Sequence, residues 1–158
     1  LGYTTYFKGG FVLDKEPNEE VIRLLNGLEK TRRMKRNVDE KIYGTEGEFY
    51  FGPGNWGQDH ESNIIDYNFP PKTQPGLWCK WELVLSDDNS KWEIKWDEGE
   101  KFYHYIEWIQ YIIDKVLKPN KIELNGEVEW KGESSDDMGK IIIKSNKVST
   151  KKGVIAYI

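Results

Sequence analysis

The sequence predicts an α+β fold, a mostly antiparallel sheet with two helices packed on one face, plus a long irregular loop. Three observations predict it. Segments with apolar residues at every second position lie at the start, middle and end of the chain. Two segments with helical spacing separate them, and a stretch of about 44–74 follows neither period. The resulting order, β-α-loop-β-β-α-β-β-β, suits an antiparallel sheet with helices segregated to one side.

Tyr3 to Val12 reads as the first strand, with Tyr3, Thr5, Phe7 and Phe11 on one face and Thr4, Tyr6, Lys8 and Val12 on the other. Gly9-Gly10 within it marks a bulge or a close backbone approach. Pro17-Asn18-Glu19-Glu20 starts a helix, with Asn18 as N-cap and two acids in the first turn. Val21, Leu24, Leu25 and Leu28 give it an apolar stripe, and it ends near a run of arginines. Leu77 to Leu85 and Lys91 to Trp96 are strands joined by the polar hairpin loop Ser86-Asp87-Asp88-Asn89-Ser90. The second helix runs from about Glu100 to Leu117, with Phe102, Ile106, Ile109, Ile113, Val116 and Leu117 on its core stripe and Pro119 closing it. Its second stripe, Lys101, His104, Trp108, Tyr111 and Lys115, is too aromatic for a solvated face, so the irregular stretch is expected to lie across it. Leu124 to Lys131, Lys140 to Lys144, Lys147 to Thr150 and Val154 to Tyr157 complete a meander, although Asn125-Gly126 also suits a tight hairpin turn. Tyr6-Phe7-Lys8-Gly9 and Glu129-Trp130-Lys131-Gly132 echo each other weakly.

At 158 residues and 18.6 kDa, residues 1–158 are expected to form one domain with one core. Charged residues make up 32%, but seven Trp, nine Tyr and six Phe supply the buried area that folding needs. A single cysteine, Cys79, excludes an internal disulfide and suits a reducing compartment, and Leu1-Gly2-Tyr3-Thr4-Thr5 has no charged head leading into an apolar run. A cytoplasmic protein without a membrane span is expected. The net charge of -4 argues against duplex nucleic acid as a partner, while small anions and self-association stay open.

Three of the four arginines, Arg32, Arg33 and Arg36, fall within five residues. A guanidinium is a planar fork of donors matched to phosphate oxygens, so three beside a helix end could hold a phosphorylated ligand. Cations at a helix C-terminus also complement its dipole, for about 0.3–1 kcal/mol, without any ligand. In the stretch that follows, Gly52, Gly54 and Gly57 allow backbone to approach a ligand. Trp56, Tyr67 or Trp78 can stack on a base, and Gln58, Asp59, His60, Asp66 and Asn68 can read polar edges. The glycine spacing is neither a dinucleotide fingerprint nor a P-loop, and a long loop can also serve only to cover a sheet. His60, His104 and Cys79 match no zinc pattern, and no cofactor is expected. Glu127, Glu129, Glu133, Asp136 and Asp137 could hold a cation but read more simply as a solvated turn, and Trp78, Trp81, Trp92, Trp96 and Trp130 as sheet core.

The segments Gly2-Tyr3-Thr4-Thr5, Thr31-Arg32-Arg33-Met34-Lys35-Arg36, Gly57-Gln58-Asp59-His60, Asp66-Tyr67-Asn68, Gln74-Pro75-Gly76-Leu77-Trp78-Cys79 and Glu100-Lys101-Phe102-Tyr103 resemble a family of small, uncharacterised bacterial and phage-encoded proteins. The resemblance extends through Asn125-Gly126-Glu127-Val128 and Gly132-Glu133 and carries no assigned activity. Phage membership implies a protein that captures a nucleotide-derived immune signal of the host.

The expected function is therefore non-catalytic binding of a phosphorylated, nucleotide-like small molecule. Changing Arg32 and Arg33 together to Ala is expected to abolish binding with little change in melting temperature. One alternative is hydrolysis or group transfer using His60 or Asp59 with a metal. Another is a protein-interaction module that docks its basic turn and aromatics on an acidic partner.

Overall fold

The computed structural model describes residues 2–158; Leu1, the first residue of the N-terminal stretch considered above, lies outside them. Six strands form one antiparallel sheet: β1 (Tyr6–Leu13), β4 (Trp81–Leu85), β5 (Trp92–Trp96), β6 (Leu124–Lys131), β7 (Met138–Lys144) and β8 (Lys147–Lys152). Their order across the sheet is β4-β5-β1-β6-β7-β8. Two short strands, β2 (Lys35–Arg36) and β3 (Ile64–Asp66), pair separately within the irregular region. Three α-helices complete the set: α1 (Glu19–Lys30), the single turn α2 (Glu40–Tyr43) and α3 (Tyr105–Ile112). The fold is α+β, as the sequence predicts.

β1 lies at the centre because both of its edges are paired. It runs in unbroken register along β6, from Tyr6↔Lys131 to Leu13↔Leu124, and meets β5 at Phe11↔Ile94. Gly9-Gly10 is a close approach and no bulge: a Cβ on Gly9 would stand 2.6 Å from the Glu127 carbonyl oxygen, and one on Gly126 2.7 Å from that of Gly10. Asn125-Gly126 is accordingly mid-strand, and the two echoing segments turn out to be cross-strand neighbours, with Phe7 opposite Trp130.

The Asn18 side chain caps α1, accepting from the Val21 N–H at 2.9 Å. The α1 residues Val21, Leu24, Leu25 and Leu28 join Ile109, Ile112, Ile113, Val116 and Leu117 of the second helix in one buried cluster. Phe11, Trp81, Ile94, Val128 and Ile141 of the sheet complete it. Both helices contact β4. No helix among the described residues is long and apolar enough to cross a membrane.

Several boundaries differ from the expectation: β1 starts at Tyr6 rather than Tyr3, β7 at Met138 rather than Lys140, and β8 runs on to Lys152. β4 starts at Trp81 rather than Leu77, because the Leu77 carbonyl accepts from the Arg33 N–H at 2.8 Å and is drawn toward the arginine segment. α3 starts at Tyr105 rather than Glu100: Glu98, Lys101 and His104 have φ of 67, 59 and 58°, a left-handed backbone incompatible with helix, although Phe102 is still buried. Beyond Ile112 the helix continues as a π turn through Leu117, then as 3-10 helix through Asn120. Val154 to Tyr157 forms no strand; the main sheet ends with β8, and the Gly153 N–H returns to the Met138 carbonyl.

Candidate functional site

The arginine cluster divides into two functions. Arg33 is 1% exposed and Arg36 is 2% exposed. The Arg33 guanidinium donates to the main-chain carbonyls of Glu48 at 2.8 Å and of Gly47 and Tyr50 at 3.2 Å, and to Thr31 Oγ1 at 2.7 Å and Gln74 Oε1 at 3.2 Å. Burial pushes its pKa down to about 10, which leaves it charged at neutral pH. Arg36 donates to Glu61 Oε1 at 2.8 Å, Asn63 Oδ1 at 2.9 Å and the Gly57 carbonyl at 3.1 Å, and its guanidinium lies 4.8 Å from the Tyr50 ring centre. A Cβ on Gly52 would collide with Arg36 Nη2, so this part of the loop is shaped around the guanidinium. The phosphate role expected for Arg33 and Arg36 is corrected accordingly: their donors face inward and organise residues 44–76.

The same region is fastened to the second stripe of α3 by one buried carboxylate. Glu48 accepts from the Tyr111 hydroxyl at 2.8 Å, the Thr73 hydroxyl at 3.0 Å and the Thr45 N–H at 2.8 Å, with Lys115 Nζ 3.6 Å away. Gln74 Nε2 donates to the Glu48 carbonyl at 2.7 Å and to the Tyr111 oxygen at 3.1 Å. Burial drives the Tyr111 phenol far up from its ordinary range, so it stays a neutral donor. The irregular stretch does cover Trp108 and Tyr111, as their aromatic character predicts, through polar contacts that the sequence does not reveal.

Arg32 is placed differently. Its backbone N–H donates to the Trp56 carbonyl at 2.8 Å, while its Nε donates to the Tyr67 carbonyl at 2.9 Å and its Nη2 to Asn68 Oδ1 at 3.2 Å. The half-buried guanidinium lies 4.3 Å from the Tyr67 ring centre and 5.7 Å from that of Trp78. Lys80 Nζ stands 5.8 Å from the Trp78 ring, and Trp56 meets Trp78 edge-on at 6.1 Å. Beyond Trp78 opens a cleft of about 560 Å³, lined by Pro70, Pro75, Gly76, Lys80, Lys101 and His104 among others. His104 Nδ1 faces Glu107 Oε2 at 3.3 Å. Trp56, Lys101 and His104 all adopt left-handed backbone, with φ of 60, 59 and 58°.

Among the other residues singled out, Gln58 Oε1 accepts from the Tyr67 hydroxyl at 2.7 Å, and Asp66 Oδ1 accepts from the Asn68 N–H at 2.9 Å. Both act as loop struts. Asp59 and His60 are exposed and line no part of the cleft. Trp56, Tyr67 and Trp78 gather around Arg32, but of the three only Trp78 lines the cleft. Trp78 lies outside the sheet, a correction to its reading as sheet core. Lys80, Lys101, Tyr103 and His104 were missed as site residues; the aromatic and basic second stripe beginning at Lys101 and His104 was the available signal. In the acidic turn, Asp137 accepts from the Tyr3 hydroxyl at 2.7 Å and from Trp130 Nε1 at 3.0 Å, and Glu133 accepts from the Thr4 N–H.

A second concavity, of about 590 Å³, lies over β1, β6, β7 and β8 and includes Tyr6, Lys8, Lys140 and Lys151. Its charges run across the strands as Lys8↔Glu129↔Lys140↔Lys151, a solvated ladder of cross-strand neighbours. The Trp78 cleft, which combines an aromatic wall, cations and left-handed backbone, is the stronger candidate. Compared with family models, curated proteins and solved structures, the chain matches none.

Proposed function

We propose that this is a non-catalytic binding protein whose Trp78 cleft holds a flat, phosphorylated small molecule of the nucleotide class. The observation that carries the reading is the pairing of a half-buried indole with two cations, Arg32 and Lys80, on a chain whose net charge is -4. A base stacked on Trp78 gains about 1–3 kcal/mol, and the cations supply charge-assisted contacts to phosphate. Arg32 spends Nε and Nη2 on Tyr67 and Asn68, which leaves Nη1 for a ligand. Left-handed backbone at non-glycine residues costs of order 1–3 kcal/mol each, and two of the nine such residues among those described, Lys101 and His104, line the cleft. The volume falls within the range of small-molecule pockets, about 300–1,000 Å³. Capture of a host signalling nucleotide, the role suggested by the resemblance to phage-encoded proteins, is the biological form of this reading.

The test is calorimetric titration with ribonucleoside mono-, di- and triphosphates and with cyclic dinucleotides, followed by chromatography of the recovered ligand. Binding by at least one, weakened roughly tenfold or more by Trp78→Ala and by Arg32→Ala, is expected, with the ligand returned intact. No heat with any of them refutes the reading. A second reading, docking on a protein, is favoured by the 58% exposed Trp56, 58% exposed Ile65 and 63% exposed Phe69. It predicts salt-sensitive association with a protein and no small-molecule binding.

A further inference from the structure

Two anomalies meet behind the cleft. Trp108 is fully buried, and its Nε1 is the one buried side-chain donor or acceptor among the described residues without a hydrogen-bond partner. Leaving such a group unmade costs about 1–3 kcal/mol, so it calls for an explanation. The other anomaly is Gly76. At every other glycine an added Cβ would meet an atom at 3.1 Å or less, and six of them also have a positive φ. At Gly76 the nearest atoms would be His104 Cδ2 at 3.4 Å and Trp108 Nε1 at 3.7 Å, both at ordinary contact distance, and the backbone is not left-handed. Neither strain nor crowding demands glycine there. What glycine does provide is room for one more heavy atom in the cleft lining, 3.7 Å from the unpartnered indole nitrogen, which is itself sealed from solvent.

We infer that this space is a recognition slot, in which Trp108 Nε1 donates a hydrogen bond to an uncharged acceptor on the ligand, a ring nitrogen or carbonyl oxygen on the edge of a heteroaromatic base. The inference rests on the nucleotide reading above and assigns the ligand's orientation within it. An anionic oxygen is the wrong occupant: the slot is bounded by the Trp108 indole and the His104 ring, and Lys80 and Lys101 lie on the cleft lining, where phosphate keeps its solvation. The base therefore enters edge first beside Trp78 and the phosphate stays at the mouth. His104 is the movable side of the slot. Its side chain is 55% exposed, and a small swing of the ring admits an acceptor to within hydrogen-bonding reach of Nε1.

The experiment uses the whole chain labelled with ¹⁵N, titrated with the four ribonucleoside 5′-monophosphates and followed through the indole N–H resonances, with Trp108 assigned by Trp108→Phe. Gly76→Ala and Gly76→Ser are titrated in parallel. Either side chain fits at the distances above, so melting temperatures are expected to stay at or above that of the parent, with Ser the higher because its hydroxyl can accept from Nε1. Expected are a downfield shift of the Trp108 indole proton on binding and an affinity roughly tenfold weaker in both Gly76 variants. If a nucleotide binds with dependence on Arg32 and Trp78, while the Trp108 resonance and both Gly76 variants remain unaffected, the slot is refuted and the nucleotide reading stands. If no monophosphate binds, the di- and triphosphates and the cyclic dinucleotides are titrated in the same way, and both readings fall together when none of them binds.

Discussion

Arg33→Ala is expected to damage this protein far more than Arg32→Ala, although the two residues are adjacent and chemically identical. Six hydrogen bonds leave the Arg33 guanidinium, to three main-chain carbonyls and two side-chain oxygens. Truncation leaves the carbonyls of Gly47, Glu48 and Tyr50 without that donor in a buried space. Each orphaned group costs about 1–3 kcal/mol, and water entering the vacated volume recovers part of the sum. Removing one side of a buried charged network costs about 3–5 kcal/mol, which is the loss expected here. Against a typical domain stability of about 5–15 kcal/mol this is a large fraction. Urea unfolding followed by tryptophan fluorescence measures it, and limited proteolysis shows whether 44–76 has come loose. Arg33→Lys is expected to recover only part, because a point charge on a flexible stem cannot serve five acceptors. Arg32→Ala, half-exposed and bonded to two acceptors, should cost about 1 kcal/mol or less. An Arg33→Ala loss below about 1 kcal/mol, with an unchanged denaturant slope and a protease-resistant loop, would show that the guanidinium does not hold the loop. The expectation that changing both arginines leaves the melting temperature nearly unmoved is thereby reversed.

Tyr111→Phe removes the hydroxyl that links Glu48 to Gln74 and should cost about 1–2 kcal/mol in the same urea assay, with faster hydrogen exchange at the Thr45 N–H that shares the carboxylate. Glu29 is held with its pKa pushed up to about 7, first by burial and then by Asp97. A carboxyl whose pKa rises on folding weakens the fold as it ionises, so stability falls as pH rises from about 4.5 through about 7. Glu29→Gln should melt higher than the parent at about pH 8 and converge with it at about pH 4; a gap independent of pH would dismiss the account. The buried Cys79 thiol is pushed up to about 12 by desolvation, so Ellman's reagent should label it only as fast as the protein opens, and at once in denaturing urea.

Period alone made most of the sheet and both principal helices legible. Leu124 to Lys131 reads strictly alternately because its inner face is buried and its outer face solvated, and the hairpin loop at 86–90 is composed of turn-forming residues. Boundaries failed where backbone conformation departs from what residue type favours. Nothing in Glu98, Lys101 or His104 announces left-handed φ, so the helix was extended back to Glu100. The arginine cluster failed for a different reason. Its composition reveals a strong need for planar donors, but a sequence cannot say whether the acceptors are ligand phosphates or the chain's own carbonyls. A loop of about thirty residues with little secondary structure has many carbonyls to satisfy, and Arg33 and Arg36 meet that need from inside. Trp56 and Tyr67 are identifiable as aromatics in irregular backbone and Trp78 reads as part of a strand, whereas Lys80, Lys101 and Gly76 acquire meaning only from what stands beside them.

Burying two arginines to build the loop also fixes the cleft. The backbone N–H of Arg32 holds Trp56 and that of Arg33 holds Leu77, the neighbour of Trp78, so the segment leaving α1 is stitched between the two tryptophan-bearing stretches. The guanidinium of Arg33 then locks the same segment to 47–50, and Glu48 locks that to α3 through Tyr111. The Leu77–Trp78 wall of the cleft is therefore tied, within a few bonds, to a charge buried beneath it. Such a site binds with little reorganisation, because the ordering cost is met on folding rather than on association. Arg32 and Arg33 substitutions should consequently separate in kind. Without Arg32 the walls keep their places and a contact is lost, so affinity falls at nearly constant stability. Without Arg33 the walls themselves loosen, so stability and affinity fall together, and raising ligand concentration restores the melting temperature with the logarithm of concentration, as RT ln(1 + L/Kd) for free ligand concentration L.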